Sequence, residues 1–148
     1  MKKLDTIFIT SSYRSGASLF TKMLNVNNKI KVSSGTINFF RYYYKKYDSI
    51  KKKSNYQSLI SQFCFRLKNR FDINLDYNEV IAHKKKNCFN YPDTYRLMCS
   101  KIFKNKKFTI TGEHAGNEWR NISNYLKEFP KGKVIILLRD PRDIICSF

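Results

Sequence analysis

Near the amino end runs Thr6-Ile7-Phe8-Ile9-Thr10-Ser11-Ser12-Tyr13-Arg14-Ser15-Gly16-Ala17-Ser18-Leu19-Phe20. Its first five residues are β-branched or aromatic, as a strand prefers. Leu19, Phe20, Met23 and Leu24 then recur at helical spacing. The small residues between them therefore form a turn from a strand into a helix. A helix N-terminus offers unpaired N–H groups and the positive end of a dipole, which suits an anion. Gly16 lets the backbone approach that anion, and Ser15, Ala17 and Ser18 leave room for it. Taken alone, Ser15 to Ser18 reads rather as an ordinary helix cap.

A second junction of the same kind lies near the other end. The apolar run Val134-Ile135-Ile136-Leu137-Leu138 leads directly into Arg139-Asp140-Pro141-Arg142-Asp143-Ile144-Ile145-Cys146-Ser147. Arg139 and Asp140 have a plain reading as a surface pair at a strand end. Two such loops on neighbouring parallel strands, in this order and with these cations, instead predict a site for a ligand with two separate anionic groups.

The nucleoside-triphosphate loop G-x-x-x-x-G-K-[ST] is the obvious competitor. Aligned on Gly16 and Ser18, the chain has Ser11 at the first glycine and Ala17 at the lysine. A triphosphate enzyme needs that lysine, and a carboxylate to hold magnesium. The apolar strand that ends in an aspartate is Leu138-Arg139-Asp140, and its arginine would repel the metal. Arg14 supplies the cation instead, which suits a metal-free transfer from an anhydride.

In these residues the chain resembles the amino-terminal part of sulfotransferases that use 3′-phosphoadenosine 5′-phosphosulfate. The family loop [KR]-S-G-[TAS]-[ST], which grips the 5′-phosphosulfate, is matched by Arg14-Ser15-Gly16-Ala17-Ser18. The family segment R-[DN]-P-[RK]-D with a following serine holds the 3′-phosphate, and Arg139 and Ser147 stand at its gripping positions. Gly112-Glu113-His114-Ala115-Gly116 resembles the family's G-E-K-[TS]-P, and Phe129-Pro130-Lys131-Gly132-Lys133 the lead-in to the second loop. The middle of the chain, from about Tyr42 to Phe108, carries no such likeness.

The resemblance implies an in-line transfer of a sulfuryl group from that donor to an acceptor hydroxyl or amine, without a metal. Arg14, Ser15, Gly16, Ala17, Ser18, Arg139 and Ser147 are the implied donor-binding residues. Where many members carry a carboxylate base after the first loop, this chain has Thr36, which cannot serve. His114 stands at the lysine of the G-E-K segment, and a histidine near neutral pKa suits general-base work on an alcohol. It is the candidate base, with Glu113 in reserve and a purely structural histidine as the competing reading. Two further readings stay open: an inactive nucleotide-binding fragment that keeps the donor grip, and a degenerate P-loop kinase.

Length and composition fit one domain over residues 1–148, with 42% hydrophobic and 16% aromatic residues for a core. The resemblance implies a domain that continues past Phe148, so a truncated carboxyl end is expected. Lys and Arg number 29 against 11 Asp and Glu. The lysines lie in short scattered runs without a nucleic-acid motif, which favours a solvated basic surface over steering of anionic ligands and predicts no specific nucleic-acid partner. Cys64, Cys88, Cys99 and Cys146 lack metal-ligand spacing and read as core thiols of a reducing compartment. No segment approaches the ~20 apolar residues of a membrane span, and the start is too polar for a signal peptide. A cytoplasmic enzyme is expected; acceptor and oligomeric state have no signature here.

Between the loops, Leu59, Ile60, Phe63, Leu67 and Phe71 follow helical spacing, as do Tyr95, Met98, Cys99, Ile102 and Phe103 with Pro92 in the first turn. Residues 107–111 read as a strand, and Trp119, Ile122, Leu126 and Phe129 as one face of a helix. Residues 51–56 and 84–91 read as surface loops, His83 as exposed, and the aromatic run Phe39, Phe40, Tyr42, Tyr43, Tyr44 as helix core rather than acceptor pocket. Strands alternating with helices predict an α/β fold, a three-layer doubly wound parallel sheet with a P-loop-like phosphate loop. Ligands then bind beyond the carboxyl ends of the strands, where Arg14, His114 and Arg139 fall.

Overall fold

The computed structural model describes residues 5–82, 89–103 and 108–146. Strand β1 (Asp5–Ser11) is followed by α1 (Ala17–Val26), β2 (Ile30–Ser34), α2 (Phe39–Tyr42), α3 (Lys53–Phe71), α4 (Tyr77–Ala82) and α5 (Tyr91–Ile102). Then come β3 (Ile110–His114), a 3-10 turn (Trp119–Asn121), α6 (Ile122–Glu128), β4 (Lys133–Leu137) and α7 (Pro141–Ile145). The strands lie in the order β2-β3-β1-β4, all parallel.

β1 is central because its residues are apolar on both faces, as a strand covered on both sides must be. Ile7 and Ile9 pack with Val32 against Phe20 and Leu24 of α1 on one face. Phe8 points to the other face, stacked on Tyr125 with ring centres 5.2 Å apart and edge-on to Phe40 at 5.8 Å. That second layer continues through Phe39, Tyr95 and Phe63 into α3 and α5, whose buried Leu59, Ile60, Leu67 and Met98 fill it. Each such side chain contributes about 1.5–3 kcal/mol by leaving water. Helix, sheet and helix thus make the three layers.

β3 can lie beside β1 because Gly112 has no side chain. It pairs with Ile7, and a Cβ there would collide with the Ile7 carbonyl. At the outer edge, β4 leaves Ile136 and the following Leu138 exposed.

Several local expectations are corrected. β3 begins at Ile110, with Phe108 and Thr109 ahead of it and Lys107 outside the described residues, so Gly112, Glu113 and His114 belong to the strand itself. β2 carries no long apolar run and was not anticipated. Trp119 is exposed in the 3-10 turn and Leu126 is partly exposed, while Tyr125 is fully buried with Phe129 at i+4. Lys53 and Tyr56, read as loop, lie in α3, with Tyr56 buried. Leu19 and Met23 of α1 face solvent. Phe39, Phe40 and Tyr43 do enter the core. Cys99 is buried and Cys64 half-buried, but Cys146 is exposed; Cys88, His83 and residues 84–88 lie outside the described residues.

Candidate functional site

The loops after β1, β3 and β4 enclose a cleft of about 490 Å³. Ser11 to Leu19 form one side of it, and His114, Gly116, Asn117 and Arg139 the other. No carboxylate lines it among the described residues.

The first loop is tightly wound. Arg14 and Gly16 both have left-handed backbones, with φ of 57° and 77°. Ser15 between them folds its hydroxyl back onto the Ser12 carbonyl at 2.8 Å. Glycine adopts this region freely, whereas a residue with a side chain gives up on the order of 1–2 kcal/mol there. Arg139 holds the strained turn, since its Nη1 donates to the Arg14 carbonyl at 3.0 Å. Gly16 precedes α1, and no side chain caps that helix end. The first-turn amides therefore remain available to an anion.

The second loop is built differently. Asp140 caps α7, accepting from the Arg142 amide at 2.9 Å, and its carboxylate also takes Arg142 Nε at 3.1 Å and Nη2 at 2.7 Å. Those hydrogen bonds hold the Asp140 carboxyl below its ordinary pKa. With its helix end already occupied by a carboxylate, this loop presents Arg139 to the cleft. Ser147 lies outside the described residues.

His114 closes β3 between two hydroxyls. Its Nε2 is 2.9 Å from Ser11 Oγ and its Nδ1 is 3.1 Å from Ser34 Oγ. The His114 carbonyl also accepts from the Gly35 amide at 2.9 Å. Three adjacent strands thus fix this ring. Burial pushes its pKa below the usual 6.5, so it is neutral at pH 7. A neutral imidazole has one N–H and one bare nitrogen, so one serine accepts from it while the other donates.

Glu113 alternates to the opposite face, as successive strand residues do. It is fully buried, both carboxylate oxygens facing the Phe39 amide at 3.1 and 3.2 Å. Burial pushes its pKa up to about 8, against the lowering pull of the Phe39 and Asn38 amides. The structure therefore brings Arg14, Ser15, Gly16, Ala17, Ser18, Arg139 and His114 together and places Glu113 beneath α2, away from them. Thr36 turns its hydroxyl onto the Ser34 carbonyl at 3.2 Å. Sequence reasoning missed Ser11 and Ser34 as partners of His114; the only signal was their place at the ends of strands that flank β3.

This arrangement can hold an anion on backbone amides and two guanidiniums and can take a proton on a neutral imidazole. Among the described residues no cluster of His, Cys, Asp and Glu is placed to hold a metal ion. None of the described helices is long and apolar enough to cross a membrane. No curated protein and no solved structure gives a significant match. Residues 6–148 match the model of the sulfotransferase family, which spans both strand-to-helix loops and β3, and the chain belongs to that family.

Proposed function

We propose that the chain moves a sulfuryl group from 3′-phosphoadenosine 5′-phosphosulfate to an acceptor hydroxyl or amine. The observation that carries this reading is the joined pair of loops, an uncapped helix end with Arg14 tied to Arg139, set beside a neutral His114 in a cleft that no carboxylate lines among the described residues.

Amides of Ser15, Gly16, Ala17 and Ser18 hold the 5′-phosphate. Arg14 offsets the charge that grows on the bridging oxygen as it leaves. Arg139 and Ser147 grip the 3′-phosphate, so the donor is anchored at both ends. The acceptor oxygen or nitrogen forms its bond to sulfur while the sulfur to bridging-oxygen bond breaks. The acceptor proton passes to His114 Nε2, where the acceptor takes the place of the Ser11 hydroxyl, and Ser34 keeps the Nδ1 proton. Positioning and electrostatics supply most of the rate in such a displacement. Glu113 supports the site from below by fixing the start of α2.

Calorimetry with adenosine 3′,5′-bisphosphate and with ATP plus magnesium tests the donor assignment. Tighter binding of the bisphosphate is expected. Magnesium-dependent ATP binding without bisphosphate binding would favour a degenerate P-loop kinase and overturn the reading.

A further inference from the structure

A second pocket, of about 430 Å³, lies between α2 and α3. Lys46, Arg66 and Arg70 line it with Tyr42, Tyr43 and Gln62, and no carboxylate does among the described residues. Three cations crowded without a counter-ion repel one another, so the pocket is at its most favourable with an anion in it. Arg66 is held rigidly: its guanidinium lies 4.2 Å over the Tyr42 ring and its Nη2 donates to the Gly35 carbonyl at 3.3 Å. Its Nε is nevertheless buried without a hydrogen-bond partner among the described residues. The hydroxyl of Tyr43, a side chain only 2% exposed, is in the same condition. Buried donors left unmatched are uncommon and call for an explanation. Burial pushes the Tyr43 hydroxyl up to about 12, so it stays a donor. Phe65, 70% exposed, adds an open aromatic wall at the rim.

One turn links a residue of this pocket to a residue of the first cleft by hydrogen bonds. Arg66 grips Gly35 from the pocket side, while on the cleft side the Gly35 amide meets the His114 carbonyl and the Ser34 hydroxyl meets the His114 ring. We infer that this pocket recognises the acceptor by a carboxylate or sulfate group carried beside an apolar ring, which Arg66, Arg70 and Lys46 hold while the acceptor's hydroxyl reaches over Ser34–Gly35 to His114. The inference rests on the sulfotransferase reading above and adds the acceptor class to it. It also gives the basic surface a local use, since an acidic acceptor is drawn toward this face.

Ligand-observed NMR with 4-hydroxyphenylacetate and its neutral amide tests the assignment, with adenosine 3′,5′-bisphosphate binding followed in the same samples. The acid is expected to bind at least about tenfold more tightly than the amide, as a charge-assisted contact implies. That preference should collapse in Arg66→Met, and also in the surface double variant Lys46→Gln with Arg70→Gln, which leaves the Gly35 contact intact. Bisphosphate binding should be unchanged in the double variant. Equal binding of acid and amide, or a preference that survives the double variant, overturns the assignment and leaves the donor reading standing. Inorganic sulfate displacing the acid at equal concentration would mark a simple anion pocket and overturns it as well. An acid preference without any bisphosphate binding removes the donor reading and the acceptor role together.

Discussion

Arg139 Nη1 donates to the carbonyl of Arg14 at 3.0 Å, joining two residues 125 positions apart and bracing a left-handed turn. One arginine therefore faces the proposed 3′-phosphate and holds the loop proposed for the 5′-phosphate. Arg139→Ala is expected to cost about 1.5–3 kcal/mol in binding of the 3′,5′-bisphosphate, and hence at least about tenfold in affinity. Adenosine 5′-phosphate should weaken by less, through the loosened loop alone. Calorimetry on both ligands separates the roles; equal losses would leave Arg139 as a brace without a 3′-phosphate contact.

Arg14→Ala should fall more heavily on turnover than on affinity for the spent donor, because Arg14 is proposed to face charge that develops only in the transition state. Steady-state kinetics and bisphosphate titration on one preparation give the comparison. Since Arg14 sits at φ 57°, Arg14→Gly should be more stable than Arg14→Ala by on the order of 1 kcal/mol, read from denaturant midpoints.

His114 has a lowered pKa because it is buried. Its base form should therefore persist below pH 6.5, with kcat/KM flat through neutrality and falling only on the acid side. His114→Gln should lower turnover by about 100-fold or more and spare bisphosphate affinity. An acid limb that survives unchanged in His114→Gln would assign the proton transfer elsewhere.

Glu113 makes stability depend on pH. Its folded pKa of about 8 stands above the ordinary 4.5, so the folded state favours the protonated form. The contribution is fully present below about 4.5 and is lost as pH rises through about 8. Across that window the slope approaches about 1.4 kcal/mol per pH unit. Glu113→Gln, which keeps an oxygen for the Phe39 amide, should flatten the Tm profile and be the more stable protein at pH 8. Parallel profiles for the two proteins would place the carboxyl in contact with water.

The two loops were legible because their chemistry is local: an arginine, a glycine and small residues between an apolar strand and an amphipathic run. The periodic helices α3 and α5 were legible for the same reason. β2 was not, since Ile30 and Val32 give only two apolar alternations and its strand state comes from pairing with β3. The register of β3 is set by Gly112 against Ile7, a contact between distant segments, which is why the sequence does not show that Glu113 and His114 face opposite ways. The Ser11 and Ser34 partners of His114 are likewise products of strand order. In α6, Tyr125 displaced Leu126 from the core because its hydroxyl reaches Thr6 at 2.9 Å while its ring stacks on Phe8.

The missing side chain at Gly112 has an evolutionary consequence. It lets β3 slide close enough to β1 to deliver the next two residues, one to each side of the sheet. Residue 114, the proposed base, can then be exchanged for another proton acceptor and selection can test the result within an unchanged scaffold. Residue 112 offers no such trial, because any side chain would move the address rather than the occupant. Innovation in this cleft is therefore free at the proposed base and closed two residues before it.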